Sequence, residues 1–200
     1  QGQRPSPPTA EGPTAVAPPT NARPPRRSWP KLKRFQPRYD VQAEARIDLD
    51  MEEILDKLEE APTVGDFDGA MTIYSSGGDS KATIAATLES LATPSLTTMD
   101  SDTWYPVYKG YWDSQINYAH EFVQGAYTGT LPDEMKKELI KKGIVYQGLW
   151  MQVVHNLDKG QRDCDVNFWD KGMAYYFGSL EGEYQTSADI AYKGNLLYAL

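Results

Sequence analysis

The sequence is poor in the residues that most often announce chemistry. Its 200 residues include two histidines, His120 and His155, and one cysteine, Cys164. A lone cysteine excludes an intramolecular disulfide among these residues, and with it the disulfide-framed class of small domains. Long apolar runs are missing as well. Even GIVYQGLWMQVV falls short of the roughly 18 to 20 apolar residues that cross a bilayer, so the chain reads as peripheral to a membrane at most, with no transmembrane span. Nor is there a G-x-S-x-G nucleophile elbow, a phosphate-cradling G-x-x-x-x-G-K, or an H-E-x-x-H zinc motif, since HEF at His120 and Glu121 lacks the second histidine. The glycine-rich SSGGDS has no lysine of the phosphate-loop kind and reads as a turn. These absences point away from enzymes. Strand alternation and hairpin dipeptides are also scarce.

What is present is segregated by charge. The net charge is −8, yet through Asp40 eight Lys and Arg stand against two acids, a balance of +6. The remainder, with twelve Lys and Arg against twenty-six acids, carries −14. The first segment also holds ten of the fourteen prolines and almost no periodic apolar residues. Such a chain buries too little apolar surface to offset its ordering entropy, and its expected state is extended and polyproline-like. The organisation expected is therefore a proline-rich basic arm over 1–46 and a helical domain over 47–200. Because the sequence opens on Gln1, any targeting segment is expected to have been removed or left out.

Within the arm, RRSWPKLKRFQPRY interleaves Arg26, Arg27, Lys31, Lys33, Arg34 and Arg38 with Trp29, Phe35 and Tyr39. Cations set between aromatics suit nucleic acid, anionic lipid or an acidic protein surface. The acidic remainder repels a polyanion, so nucleic acid is not expected, and the preferred reading is an arm laid along a partner protein and anchored by its aromatics.

From Ile47 the periodicity is helical. DMEEILDKLEEA places Asp50 and Glu53 at capping-box spacing, carries Met51, Ile54, Leu55 and Leu58 on one face, and stops at Pro62. DFDGAMTIYSSGG predicts a short helix ended by Gly77 and Gly78, and DSKATIAATLESLAT another that halts before Pro94. YPVYKGYWDSQINYAHEFVQGAY predicts one longer helix with Trp112, Ile116, Ala119, Val123 and Ala126 on its face. In TLPDEMKKELIKKGIVYQGLWMQVVHNLDKG, Leu139, Tyr146, Trp150, Val153 and Leu157 form a stripe, with Ile144, Gly148, Met151 and His155 on a second face. VNFWDKGMAYYFGSLEG repeats the pattern with Trp169, Met173, Tyr176 and Leu180. The fold class is thus all-α, a helical bundle-like domain preceded by an extended arm.

Oxygen and imidazole donors that suit hard ferric iron are available in these helices: Tyr118, His120, Glu121, His155, Asp158, Asp163 and Asp165. Without a second His or Cys at metal spacing on its helix, His155 reads first as a packed residue and second as a ligand.

The blocks MTIYSSGGDS, YKGYWDSQINYAHEFV, KKGIVYQGLWMQVVHNLDKGQRDC and FWDKGMAYYFGSLEG, in order and spacing, resemble the algal low-iron-inducible periplasmic proteins. This iron-assimilation family is grouped with the phytotransferrins, and the similarity runs from about Phe67 to the C-terminus. It implies an algal source, an extracytoplasmic or organellar setting, and iron binding, with Tyr118, His120, Glu121 and His155 as the candidate ligands. His120 and His155 are also the candidates for holding a chlorophyll. Family members continue past the region matched by GNLLYAL, so the C-terminus is expected to be cut. The basic arm is a second departure, one that iron assimilation has no evident need for.

Two readings follow. The first is a non-catalytic linker subunit of a larger algal assembly, a photosystem-antenna supercomplex in the plastid, with photosystem or antenna proteins as partners at the thylakoid. The second is a periplasmic or cell-surface iron-binding protein of the phytotransferrin type.

Overall fold

The computed structural model describes residues 36–59, 66–78, 80, 86–93, 99, 102–112, 117–180 and 196–197, and among them there are helices and no strands. The all-α expectation holds. In chain order the helices are α1 (Gln42–Ala45), α2 (Ile47–Glu59), α3 (Phe67–Ser76), α4 (Leu88–Ala92), α5 (Tyr105–Tyr111), α6 (Tyr118–Thr128), α7 (Asp133–Lys142), α8 (Trp150–Arg162) and α9 (Val166–Phe177). A π-helical segment, Gly143–Leu149, joins α7 to α8 without a break.

Helix α2 opens earlier than its capping pattern suggests. Ile47, Met51, Ile54 and Leu58 are buried at helical spacing, while Asp50 lies inside the first turn, buried, and is not the cap. Asp66 caps α3 by accepting from the Gly69 N–H at 2.8 Å, and Gly77, with φ 71°, ends it. Thr87 and Ser90 form a reciprocal capping box on α4. The start expected for that helix near Asp79 falls partly outside the described residues.

The single long helix expected from Tyr105 to Tyr127 is two helices. Trp112 leaves the helical region at φ −100° and ψ 44°, and Asn117 enters α6 from φ −104° and ψ 39°. Trp112 folds back so that its ring stacks on Tyr118 at 6.2 Å and 3°. Ile116, placed on the stripe of that helix, lies outside the described residues.

The rod from Asp133 to Arg162 is the axis of the core. Its π segment buries Gly143, Ile144, Val145, Gly148 and Leu149 and packs against α4 and α6. A Cβ on Gly148 would stand 3.3 Å from the Ala92 Cβ, so the small residue sets how closely α4 approaches. The expected stripe fails in its middle, inside the π turn: Tyr146 is 44% exposed, whereas Ile140, Ile144, Gly148 and Met151 are buried and the later stripe residue Val153 is buried as expected.

Helices α8 and α9 form an antiparallel hairpin, turned at Cys164 with φ 53°. Its seam is made of small residues. A Cβ on Gly160 would meet the Trp169 backbone nitrogen at 2.9 Å, and one on Gly172 would meet the Leu157 side chain at 2.9 Å. The aromatic stripe read for α9 is therefore displaced: Asp170, Gly172, Ala174, Tyr175 and Phe177 are buried and Trp169 is 47% exposed.

The domain also begins before residue 47. Val41 and Ala45 are buried against Ala174, and Lys171 pairs with Glu44 at 3.2 Å, so 41–46 belongs to the helical body. No helix among the described residues is long and apolar enough to cross a membrane.

Candidate functional site

Among the described residues four aspartates are buried, and each would be costly there without donors. Asp48 on α2 accepts from the Ser179 N–H at 2.5 Å, the Leu180 N–H at 2.6 Å and the Ser179 hydroxyl at 2.7 Å, closing the turn after α9 onto α2. Burial raises its pKa to about 6, against the opposing pull of those donors. Asp50 accepts from the Gly78 N–H at 3.2 Å, the Ser80 N–H at 3.0 Å and the Ser80 hydroxyl. Asp170 on α9 accepts from the Arg38 N–H at 2.6 Å and the Tyr39 N–H at 2.8 Å. Each carboxylate fastens a segment far away in sequence, and their role is structural.

Asp102 is the fourth, and it organises the surroundings of His155. Its Oδ2 lies 2.5 Å from His155 Nδ1, and its Oδ1 accepts from Arg162 Nη2 at 3.2 Å. Arg162 Nε also meets Asp158 at 3.1 Å, and the Thr103 hydroxyl reaches the same carboxylate at 3.5 Å. An Asp that orients an imidazole is two-thirds of a hydrolytic triad. The third part is absent among the described residues, where His155 takes no hydrogen bond from a serine, threonine or cysteine. The cluster instead locks the segment before α5 to the outer side of α8, as the reading of His155 as a packed residue expects.

His120 has different neighbours. Its Nδ1 lies 3.2 Å from the Tyr74 hydroxyl and 3.7 Å from Glu89 Oε1, and its ring lies nearly parallel to Tyr74 at 6.0 Å and 12°. Burial, and then the Glu89 carboxylate, push the Tyr74 phenol far above its ordinary range, so it stays a neutral hydrogen-bond partner of Nδ1. Helices α3, α4 and α6 each supply one of the three groups.

The remaining candidates scatter. Tyr118 points into the core between Trp112 and Tyr105, and its buried hydroxyl has no hydrogen-bond partner among the described residues. Burial first, then Tyr105 and Tyr108, raise its pKa. Beside it is a water-sized cleft lined by Leu91, Tyr105, Gln147, Gly148 and Met151, too small to seat a chlorophyll ring. Glu121 is exposed on α6. Tyr118, His120, Glu121 and His155 therefore do not assemble into one ligand set: each histidine has its own partners, and no three His, Cys, Asp or Glu among the described residues converge on a metal position.

In the arm, Arg26, Arg27, Trp29, Lys31, Lys33, Arg34 and Phe35 lie outside the described residues. Arg38 and Tyr39 are described, with exposed side chains and main-chain N–H groups held by Asp170. Sequence reasoning missed Asp102, Arg162, Asp170, Tyr74 and Glu89 as partners, because no spacing relates residues 31 to 132 positions apart. Comparison with known protein families, curated proteins and solved structures finds no match to this chain.

Proposed function

We propose that the chain is a non-catalytic linker subunit of a larger algal assembly, a photosystem-antenna supercomplex at the thylakoid, which it joins through its basic arm and the exposed aromatic faces of its helical domain. The observation that carries this reading is the anchoring of the arm's root. Asp170 holds the Arg38 and Tyr39 N–H groups, so the arm departs from a defined point on α9, next in sequence to the exposed Trp169 and one turn from the exposed Val166. A tether fixed to a rigid body raises the effective concentration of its far end at a neighbouring surface. A second apolar stripe supports the same reading: Trp104 at the N-cap of α5 and Val107 and Tyr111 within it, at i, i+3 and i+7, are all exposed. The buried carboxylates, which could otherwise serve as catalytic acids, are engaged in fastening the fold.

The test keeps the full chain and changes Arg26, Arg27, Lys31, Lys33 and Arg34 together to Gln. Occupancy in the parent complex is then measured by quantitative mass spectrometry of gently solubilised membranes. Occupancy should fall severalfold while the melting temperature of the helical domain stays put. Undiminished occupancy would remove the arm, and with it the linker reading.

A further inference from the structure

We propose that the cleft beside Tyr118 is a binding site for one water molecule, held between the Tyr118 hydroxyl and the Gln147 side chain. The argument begins with the hydroxyl. Tyr118 is 3% exposed, and its enclosed oxygen has no hydrogen-bond partner among the described residues. A buried hydroxyl in that state forfeits the hydrogen bonds it had in water and gains none in exchange. The ring is also clamped. Trp112 stacks on it at 6.2 Å and 3°, and Tyr105 leans against it at 6.4 Å and 35°, so the partner must come to the hydroxyl.

The space next to it fits the need. The cleft has a volume of about 10 Å³, at the threshold of the roughly 10 to 15 Å³ that one water requires. Cavities stay dry where their walls are wholly apolar, and they retain water where two or more polar groups face it. Leu91, Ala92 and Met151 supply apolar wall, while Tyr105 and Gln147 line the cleft together with Tyr118. Burial, and then Tyr105 and Tyr108, hold the Tyr118 phenol far above its ordinary range, which keeps it neutral and able to donate. The Gln147 amide both donates and accepts, so a water that accepts from the Tyr118 O–H can give a proton of its own to the amide oxygen. Among the described lining residues none is charged, so an ion finds no counter-charge and a neutral guest is the one that fits.

Position gives the water a task. Tyr118 opens α6, Tyr105 opens α5, and Gln147 and Gly148 belong to the π segment, a kind of turn that recurs at functional sites. Helix α4 closes the cleft through Leu91 and Ala92. One water therefore ties α6 to the central rod beside the close approach of Gly148 to Ala92. The site uses no residue of the arm or its root, so it stands independently of the linker reading.

The experiment is water-oxygen magnetic relaxation dispersion on the full chain, which counts waters held for longer than the protein takes to tumble, with Tyr118→Phe as the comparison. The variant keeps the packed ring and removes the hydroxyl alone. The dispersion amplitude should fall by one water, and the urea midpoint should fall with it, because the guest loses a partner. A dry cleft gives the opposite sign for stability: deleting an unpaired buried hydroxyl removes its desolvation penalty and raises the midpoint. Unchanged amplitude, or a raised midpoint, overturns the proposal. If Tyr118→Phe loses helical circular dichroism, Gln147→Met decides in its place. It should lower the amplitude by the same one water, and an unchanged amplitude there overturns the proposal as well.

Discussion

The surroundings of the two histidines differ in how firmly each imidazole is held. His155 leans on a buried carboxylate at 2.5 Å that an arginine also grips, and Asp158 in turn meets that arginine at 3.1 Å. His120 meets a neutral phenol at 3.2 Å and a half-open carboxylate at 3.7 Å, so its contacts are longer. One arrangement holds a segment in place. The other rests on one hydrogen bond to a phenol, and the contrast teaches that how firmly a histidine is held depends on whether its acidic neighbour is buried and gripped by a second group.

The strongest way to break the contrast is Asp102→Ala. Removing one member of a buried pair strands the others, which costs about 3 to 5 kcal/mol in enclosed sites. Arg162 is 40% exposed and can turn to water, so the lower end of that range is expected, about 3 kcal/mol in urea denaturation. A loss under about 1 kcal/mol would show that the cluster is a surface ion pair and not a lock.

Asp48 sharpens the contrast, because it is a buried carboxylate held by hydrogen bonds alone, where Asp102 also has cations. Its folded pKa of about 6 lies above the ordinary carboxylate value of 3.8, so the folded state favours the protonated form. That contribution to stability is complete below about pH 4 and disappears as pH rises through about 6. Asn mimics the protonated acid: its carbonyl can accept from the Ser179 and Leu180 N–H groups, and its amide can donate to the Ser179 hydroxyl. Asp48→Asn should therefore raise stability at pH 7 on the order of 2 kcal/mol and flatten the dependence between pH 4 and 6.5. An unchanged pH slope in denaturant titrations would assign the effect to other groups.

Much of the fold was legible from residue pattern, and the failures have identifiable causes. The buried run of α2, the glycine end of α3, the acidic start of α7 and the existence of helices α8 and α9 followed from apolar spacing and turn chemistry. Tyr146 and Trp169 were misassigned to the core. Tyr146 lies in a π turn that no residue type marks, and at Trp169 the backbone itself approaches Gly160, leaving the ring on the outside of the hairpin. The split between α5 and α6 was hidden because Trp112, Ala119, Val123 and Ala126 keep helical spacing across the break. At the histidines, residue type was readable and partnership was not. Asp102 is 53 residues from His155 and Tyr74 is 46 from His120, and long-range meetings of this kind follow from topology alone.

The smallest expected effect is also the one that compares the two sites most directly. Replacing each histidine by Gln keeps a polar side chain of similar reach but removes the ability to carry charge. At position 155 the exchange gives up a charge-assisted contact with a buried acid, a class worth about 1.5 to 3 kcal/mol. Arg162 continues to neutralise Asp102, so about 1 to 2 kcal/mol should be lost. At position 120 the exchange gives up one neutral bond to Tyr74, and Gln can accept that hydroxyl in its place, so under about 1 kcal/mol should be lost. Chemical denaturation of the two variants at pH 7 measures the difference, and equal losses would erase the distinction between a locked imidazole and a free one.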